Sequence, residues 1–187
     1  MKIALKTGTL AIIGAAALLA TTNLGLSQAA APAAGAPAPA PAGQPPAPPA
    51  RAPEMALALE AAQVAIASCT ANGYKVGVSV VDSAGVLRLL ISVDGAAKQA
   101  VESSTRKAYT ANALKVSTAD TQERVKTDTA LAAKVTADPN LFARAGGLPL
   151  MVGNEVIGAI GVGGAPGGDK DEACAIAGLD KIKARLK

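Results

Sequence analysis

Residues with chemistry to offer gather in two places. The first is residues 146–172, where Gly146, Gly147, Gly158, Gly161, Gly163 and Gly164 punctuate an apolar run that ends in Asp169, Asp171 and Glu172. Leu148, Leu150 and Val152 predict a strand, Gly153-Asn154 a two-residue turn, and Val156 to Val162 the returning strand. A glycine loop then opens an acidic helix. Unpaired amides where a helix begins attract carboxylate or phosphate, which makes Gly163, Gly164 and the helix start a candidate anion subsite. The same residues also read as a tight turn with Asp169 capping the helix, and three acids there would repel an anion. Glycines at 158, 161, 163 and 164 leave little bulk, so that backbone or ligand can approach closely. Gly146-Gly147 before Leu148-Pro149 allows a sharp bend lining a cavity, and a plain turn explains the pair as well.

The second place is residues 102–112. Arg106 and Tyr109 stand three apart and share one side of a helix, with Lys107 on a different flank. Such a face binds a ligand, faces solvent or makes an oligomer contact, and Lys107 can pair with an acid across an interface. Lys107 with Asp171 or Glu172 has the residue types for acid–base work. No spacing, however, sets out paired carboxylates or a nucleophile beside its base.

The chain has no histidine. That excludes a Ser-His-Asp triad, a Cys-His dyad, HExxH zinc chemistry and an imidazole ligand to iron. An enzyme built on it would rely on carboxylates, Lys, Tyr, Cys or backbone amides. Cys69 and Cys174 are the two cysteines. In an exported protein an even pair favours a disulfide, and closing so long a loop would stabilise by roughly 4 kcal/mol in the chain-entropy picture. Two buried thiols acting as small hydrophobes are the other reading.

Around these residues the elements alternate. Leu57, Leu59, Ala62, Val64, Ala65 and Ile66 mark a helix that Asn72-Gly73 ends. Val76, Val78 and Val80 mark a strand with one core face, Asp82-Ser83-Ala84-Gly85 a type I turn, and residues 86–93 the strand that returns. A helix over 97–114 carries a stripe of small residues, Ala97, Ala100, Val101, Ser104, Ala108 and Ala111, and should pack close to its sheet. Ser117-Thr118-Ala119-Asp120 resembles a capping box, and a further helical segment covers 129–136. The last helix, 169–186, shows Ala173, Ile176, Ala177, Asp180 and Ile182 along one side. Hairpins separated by helices predict an α+β fold, an antiparallel β-sheet built from hairpins with flanking α-helices.

The beginning of the chain differs in kind. Lys2 and Lys6 precede an apolar stretch over residues 10–20, too short for a membrane span, and Ser27-Gln28-Ala29 supplies small residues for cleavage. Residues 1–29 read as a signal peptide, an uncleaved N-terminal anchor being the rival. Residues 30–54 read as a disordered Ala/Pro-rich linker, in which 30–53 hold nine of the twelve prolines. Residues 55–187 form the domain. The expected location is periplasmic or secreted, with no stable membrane insertion after cleavage. Losing Lys2 and Lys6 takes the 18 basic residues to 16 against 14 acidic. With so small a surplus, no Trp, one Phe and two Tyr, nucleic acid is not an expected partner.

Four stretches together resemble the GlcG/HbpS family, the haem-binding or haem-degrading-domain group related to the PduO C-terminal domain. They are Leu59-Glu60-Ala61-Ala62, Val78-Ser79-Val80-Val81-Asp82-Ser83-Ala84-Gly85, Lys107-Ala108-Tyr109-Thr110-Ala111, and residues 146–164 continued to Asp171-Glu172-Ala173-Cys174-Ala175. The resemblance covers nearly all of the domain. It implies an antiparallel sheet flanked by helices, a homo-oligomer, and a small-molecule ligand, haem or a related tetrapyrrole. Relatives often carry a Thr or Ser cap where this chain has Ala58, which predicts a frayed first turn. Without histidine, an iron ligand would have to be Tyr, Thr, Met, Cys or solvent, and the helix face offers Tyr109 as the candidate, with Arg106 for a propionate. The function expected is non-catalytic ligand binding. An enzyme acting on a small carbonyl or carboxylate metabolite, and a ligand-free accessory subunit that docks through its Ala/Pro arm, are the alternatives.

Overall fold

The computed structural model describes residues 49–187. The signal peptide and linker expected up to residue 48 lie outside the described residues. The domain runs α1 (Met55–Ala71), β1 (Gly77–Asp82), β2 (Leu87–Ser92), α2 (Lys98–Leu114), α3 (Thr118–Arg124), α4 (Thr129–Ala137), β3 (Gly147–Val152), β4 (Glu155–Gly163) and α5 (Gly168–Ile182), closing on a 3-10 turn, Lys183–Arg185. Its four strands form one antiparallel sheet in the order β2-β1-β4-β3. This is the α+β fold that the hairpin and helix alternation predicts. The chain already bonds to the domain ahead of Met55, because Arg51 and Ser83 exchange hydrogen bonds, Arg51 N–H to Ser83 Oγ and Ser83 N–H to Arg51 O.

The sheet is covered on both faces, so β1 is buried at every position rather than on one face. Val76, Val78 and Val80 join Ile157, Ile160, Val162 and the buried alanines of α1 in the main core, with Ala175 and Ile182 of α5. Gly77 and Ser79 turn the other way, toward α2. A side chain at Gly77 would lie 3.1 Å from Val101 Cα, and Ser79 Oγ is 2.8 Å from Ser104 Oγ.

The glycines of β4 belong to that same contact. A Cβ at Gly161 would sit 2.2 Å from the Ser104 carbonyl oxygen and 2.5 Å from Ala108 N, and one at Gly163 would meet Ser103 Oγ at 2.1 Å. The space that Gly161 and Gly163 leave is therefore filled by α2 itself, so of the two close approaches expected there, backbone or ligand, the structure has the backbone. Because the atoms met at Gly161 are helix backbone, no rotamer change relieves the clash. Gly161→Ala is expected to destabilise the domain by about 3 kcal/mol, the upper part of the usual overpacking range. A urea midpoint unchanged from the parent protein would show that α2 can move away freely.

Local signals place the other elements. Ser117 Oγ accepts from Asp120 N–H at 2.9 Å, so the expected cap of α3 forms. Asp82 Oδ1 accepts from Ala84 and Val86 N–H, and Gly85 takes φ +80° to close the turn between β1 and β2. Three expectations are corrected. Ala58 is not a failed cap but a core residue inside α1, since the helix begins at Met55 after Glu54, whose carbonyl accepts from Ala58 N–H. Asp169 does not cap α5, which starts after Gly167 without a side-chain cap. The buried side of α5 is Asp171, Cys174, Ala175, Gly178 and Ile182, leaving Ile176 45% exposed. Gly178 decides this, because a side chain there would lie 2.5 Å from Ala61 O of α1, and only glycine lets the helices cross so closely.

Cys69 of α1 and Cys174 of α5 form a disulfide with Cα atoms 5.6 Å apart, so of the two readings of the cysteines the structure has the bond. No helix among the described residues is long and apolar enough to cross a membrane.

Candidate ligand cavity

Lys107 sits where α2 bears on the sheet, three residues after Ser104 and four before Ala111, in the buried stripe of the helix. Its ammonium donates to Asp171 Oδ2 at 2.6 Å and to the Val162 carbonyl at 3.0 Å. Asp171 lies in the first turn of α5, where the helix dipole favours a carboxylate, and its Oδ1 accepts from Ala165 N–H at 2.9 Å. Both partners are buried, with side chains 4% and 5% exposed. Burial pushes the Lys107 pKa down and the Asp171 pKa up, and the attraction of each for the other opposes both shifts. The expectation that Lys107 pairs across an interface is corrected, since its acid comes from the same chain.

Gly146 makes room for this pair. It takes φ +121°, and a Cβ on it would lie 2.7 Å from Asp171 Cβ and 2.9 Å from Lys107 Nζ. Gly147 lies against α2, where a Cβ would come 2.4 Å from the Lys107 carbonyl oxygen. The two glycines thus admit the ion pair and the helix, one each.

Above the pair opens a cavity of about 470 Å³. One wall is the N-terminal half of α2 with Ala97, Ala100 and Ser103, and another is the loop from Gly164 to Gly168. Lys75 and the Phe142–Arg144 segment complete it, while Lys107 and Asp171 are reached from it. Lys75 and Arg144 are exposed. Neither forms an ion pair with a carboxylate among the described residues. The rim therefore presents two cations with no ion-pair partner among the described residues.

Of the candidate site residues, Lys107 and Gly164 reach the cavity and Gly146 and Gly147 shape its floor, whereas Gly163 lies under α2. Arg106 acts at one remove. Its guanidinium donates to Leu141 O at 2.8 Å and stacks 4.6 Å from the Phe142 ring centroid, which sets the position of a cavity residue. Tyr109 is elsewhere, its ring against Gly85 in the turn between β1 and β2. Asp169 faces a second, acidic cavity of about 370 Å³ with Asp120, Glu123 and Glu172, and Arg144 lines this cavity as well as the first. Burial pushes the Glu172 pKa up and Asp120 adds to the shift. No group of three metal-ligating side chains occurs among the described residues. Lys75, Phe142 and Arg144 carried no signal in the sequence, for Lys75 comes from the loop between α1 and β1 and the other two from the loop between α4 and β3, and only the fold brings these loops to one rim.

The family model described as haem degrading protein HbpS-like matches residues 54–180. The chain belongs to the HbpS-like family. It is 34% identical over 116 residues to a 15.0 kDa protein of Citrobacter freundii from the dhaT-dhaS intergenic region, a match covering 62% of this chain and 78% of that one. A crystal structure of a Streptomyces reticuli HbpS double mutant superposes with a TM-score of 0.67 at 32% identity, over 79% of this chain and 98% of the other. The crystal structure of PduOC in complex with haem shares the fold, with a TM-score of 0.66 at 22% identity over 73% and 97% of the two chains. In this HbpS-like chain the region from α1 to α5 is thus the family's own fold.

Proposed function

We propose that this protein binds haem or a related tetrapyrrole in the cavity between α2 and the Gly164–Gly168 loop. In this reading it is an exported, non-catalytic homo-oligomer. The observation that carries the ligand reading is the pairing of a cavity of about 470 Å³ with two rim cations, Lys75 and Arg144, that form no ion pair among the described residues. That volume falls within the roughly 300–1,000 Å³ of small-molecule sites. Ala97, Ala100 and Phe142 offer apolar surface to a flat ring, and the two cations suit its propionates. The HbpS-like description, and the haem complex of a protein with this fold, favour haem among anionic ligands. Binding without catalysis is favoured by the state of Lys107 and Asp171, which are hydrogen-bonded to one another instead of being held apart for a substrate.

A haem titration followed by absorbance tests the reading. A saturable Soret shift is expected, with one haem per subunit. Exchanging both rim cations in Lys75→Ala/Arg144→Ala should weaken binding about tenfold, because two largely solvent-exposed charge pairs at under about 1 kcal/mol each sum to roughly that factor. A linear, unsaturable absorbance change would overturn haem binding. Equal affinity in the double variant would place the ligand outside this cavity.

A further inference from the structure

We infer that the cavity recognises the tetrapyrrole by its carboxylates and not by its iron, so that an iron-free porphyrin is a ligand on equal terms. The inference rests on the haem-binding reading above and on an accounting of the side-chain types that usually hold haem iron, together with the amine and hydroxyl at the cavity floor. Histidine is absent from the chain. Both cysteines are consumed in the Cys69–Cys174 bond. Tyr74 packs against the main core, and the Tyr109 ring lies against Gly85. Met55 opens α1 and Met151 lies on β3, and neither lines the cavity. Met1 is outside the described residues. The one amine at the cavity floor, Lys107 Nζ, is taken by Asp171 and the Val162 carbonyl, and the Ser103 hydroxyl donates to Ala100 O.

The usual protein ligands of haem iron, His, Cys, Met and Tyr, are therefore all missing from the cavity wall. What the wall does hold is charge of one sign at the rim and apolar surface below it. Lys75 and Arg144 call for a ligand with two anionic groups, and Ala97, Ala100 and Phe142 call for a flat apolar body between those groups and the floor. A free or iron-loaded dicarboxylate porphyrin meets both requirements. Lys75, the other amine on the wall, stands at the rim where a carboxylate is its partner, so the metal at the centre meets none of its usual ligands here.

The experiment compares haemin with protoporphyrin IX on the purified protein, by absorbance for the first and by fluorescence for the second. The dissociation constants are expected to agree within about threefold, and Lys75→Glu/Arg144→Glu should weaken both by the same factor of about tenfold or more. Haemin binding more than about tenfold tighter than protoporphyrin IX would overturn the inference while leaving haem binding in place. It would mean that iron finds a ligand after all, from Lys75 at the rim, a second copy or residues 1–48. A double variant that weakens only one of the two ligands would overturn it as well. Failure of both porphyrins to bind would overturn the haem-binding reading itself.

Discussion

Lys107→Ala lowers the free energy of unfolding by about 3–5 kcal/mol, the cost of leaving a buried charge without its partner. Asp171 is the charge left behind. It is 3% exposed, lies at 2.6 Å from the missing ammonium, and keeps only backbone N–H groups such as that of Ala165. Because Lys107 also donates to Val162 O, the variant strips a hydrogen bond from the end of β4. Loss of a single native-like transition, or a urea midpoint lowered to this extent, is the expected result. The pair and not the charge itself is what the fold requires, since matched neutral replacements of buried ion pairs are often tolerated. Lys107→Met/Asp171→Asn should accordingly cost less than Lys107→Ala alone, with the asparagine oxygen still able to accept from Ala165. A double variant as unstable as the sum of its single variants would show that the two side chains act independently. Stability of Lys107→Ala equal to that of the parent would show that water reaches Asp171 and solvates it.

The second large effect is on the disulfide. Reducing the Cys69–Cys174 bond, or replacing it in Cys69→Ala/Cys174→Ala, is expected to destabilise the domain by about 4 kcal/mol. The bond closes a loop over a sequence separation of 105, and the chain-entropy cost of freeing so long a loop in the unfolded state is about 4–5 kcal/mol. It joins α1 to α5, two helices that pack against each other across Ala61 and Gly178 and enclose the main core. Both sulfurs sit in that core, so the alanine variant also loses some buried volume. Urea unfolding of oxidised and reduced protein, with thiol titration to count free cysteines, measures the difference. Coincident unfolding curves would show that packing of the two helices alone holds them. Two free thiols in the native, unreduced protein would show that the bond does not form.

Much of the scaffold was legible in the chain because it depends on neighbours in sequence. Gly153-Asn154, Asp82 to Gly85 and Ser117 with Asp120 each act within a turn of backbone, so the turns and the cap could be read residue by residue. The small stripe Ala100, Ser104, Ala108 and Ala111 correctly signalled close packing. The helix ends were less legible. Ala58 was misread as a cap position because the α1 start after Glu54 uses a backbone carbonyl, which carries no side-chain signature. Ile176 was misread as core, since which face of α5 turns inward depends on Gly178 meeting Ala61 in another helix.

The cavity shows the same division more sharply. Lys107, Gly146 and Gly164 could be picked out by residue type, and the four family-like stretches predicted their fold. Local sequence could also show that no histidine would serve iron. Tertiary structure alone decided that Lys107 turns inward to Asp171, 64 residues away in sequence, and that the Tyr109 ring lies against Gly85 and not on the cavity wall. It also decided that Lys75 and Arg144 stand together at one rim. Turns, caps and helix stripes arise from interactions over a few residues, whose geometry the backbone imposes. A cavity and its charges arise from segments distant in sequence, brought together only when two helix layers close on the sheet.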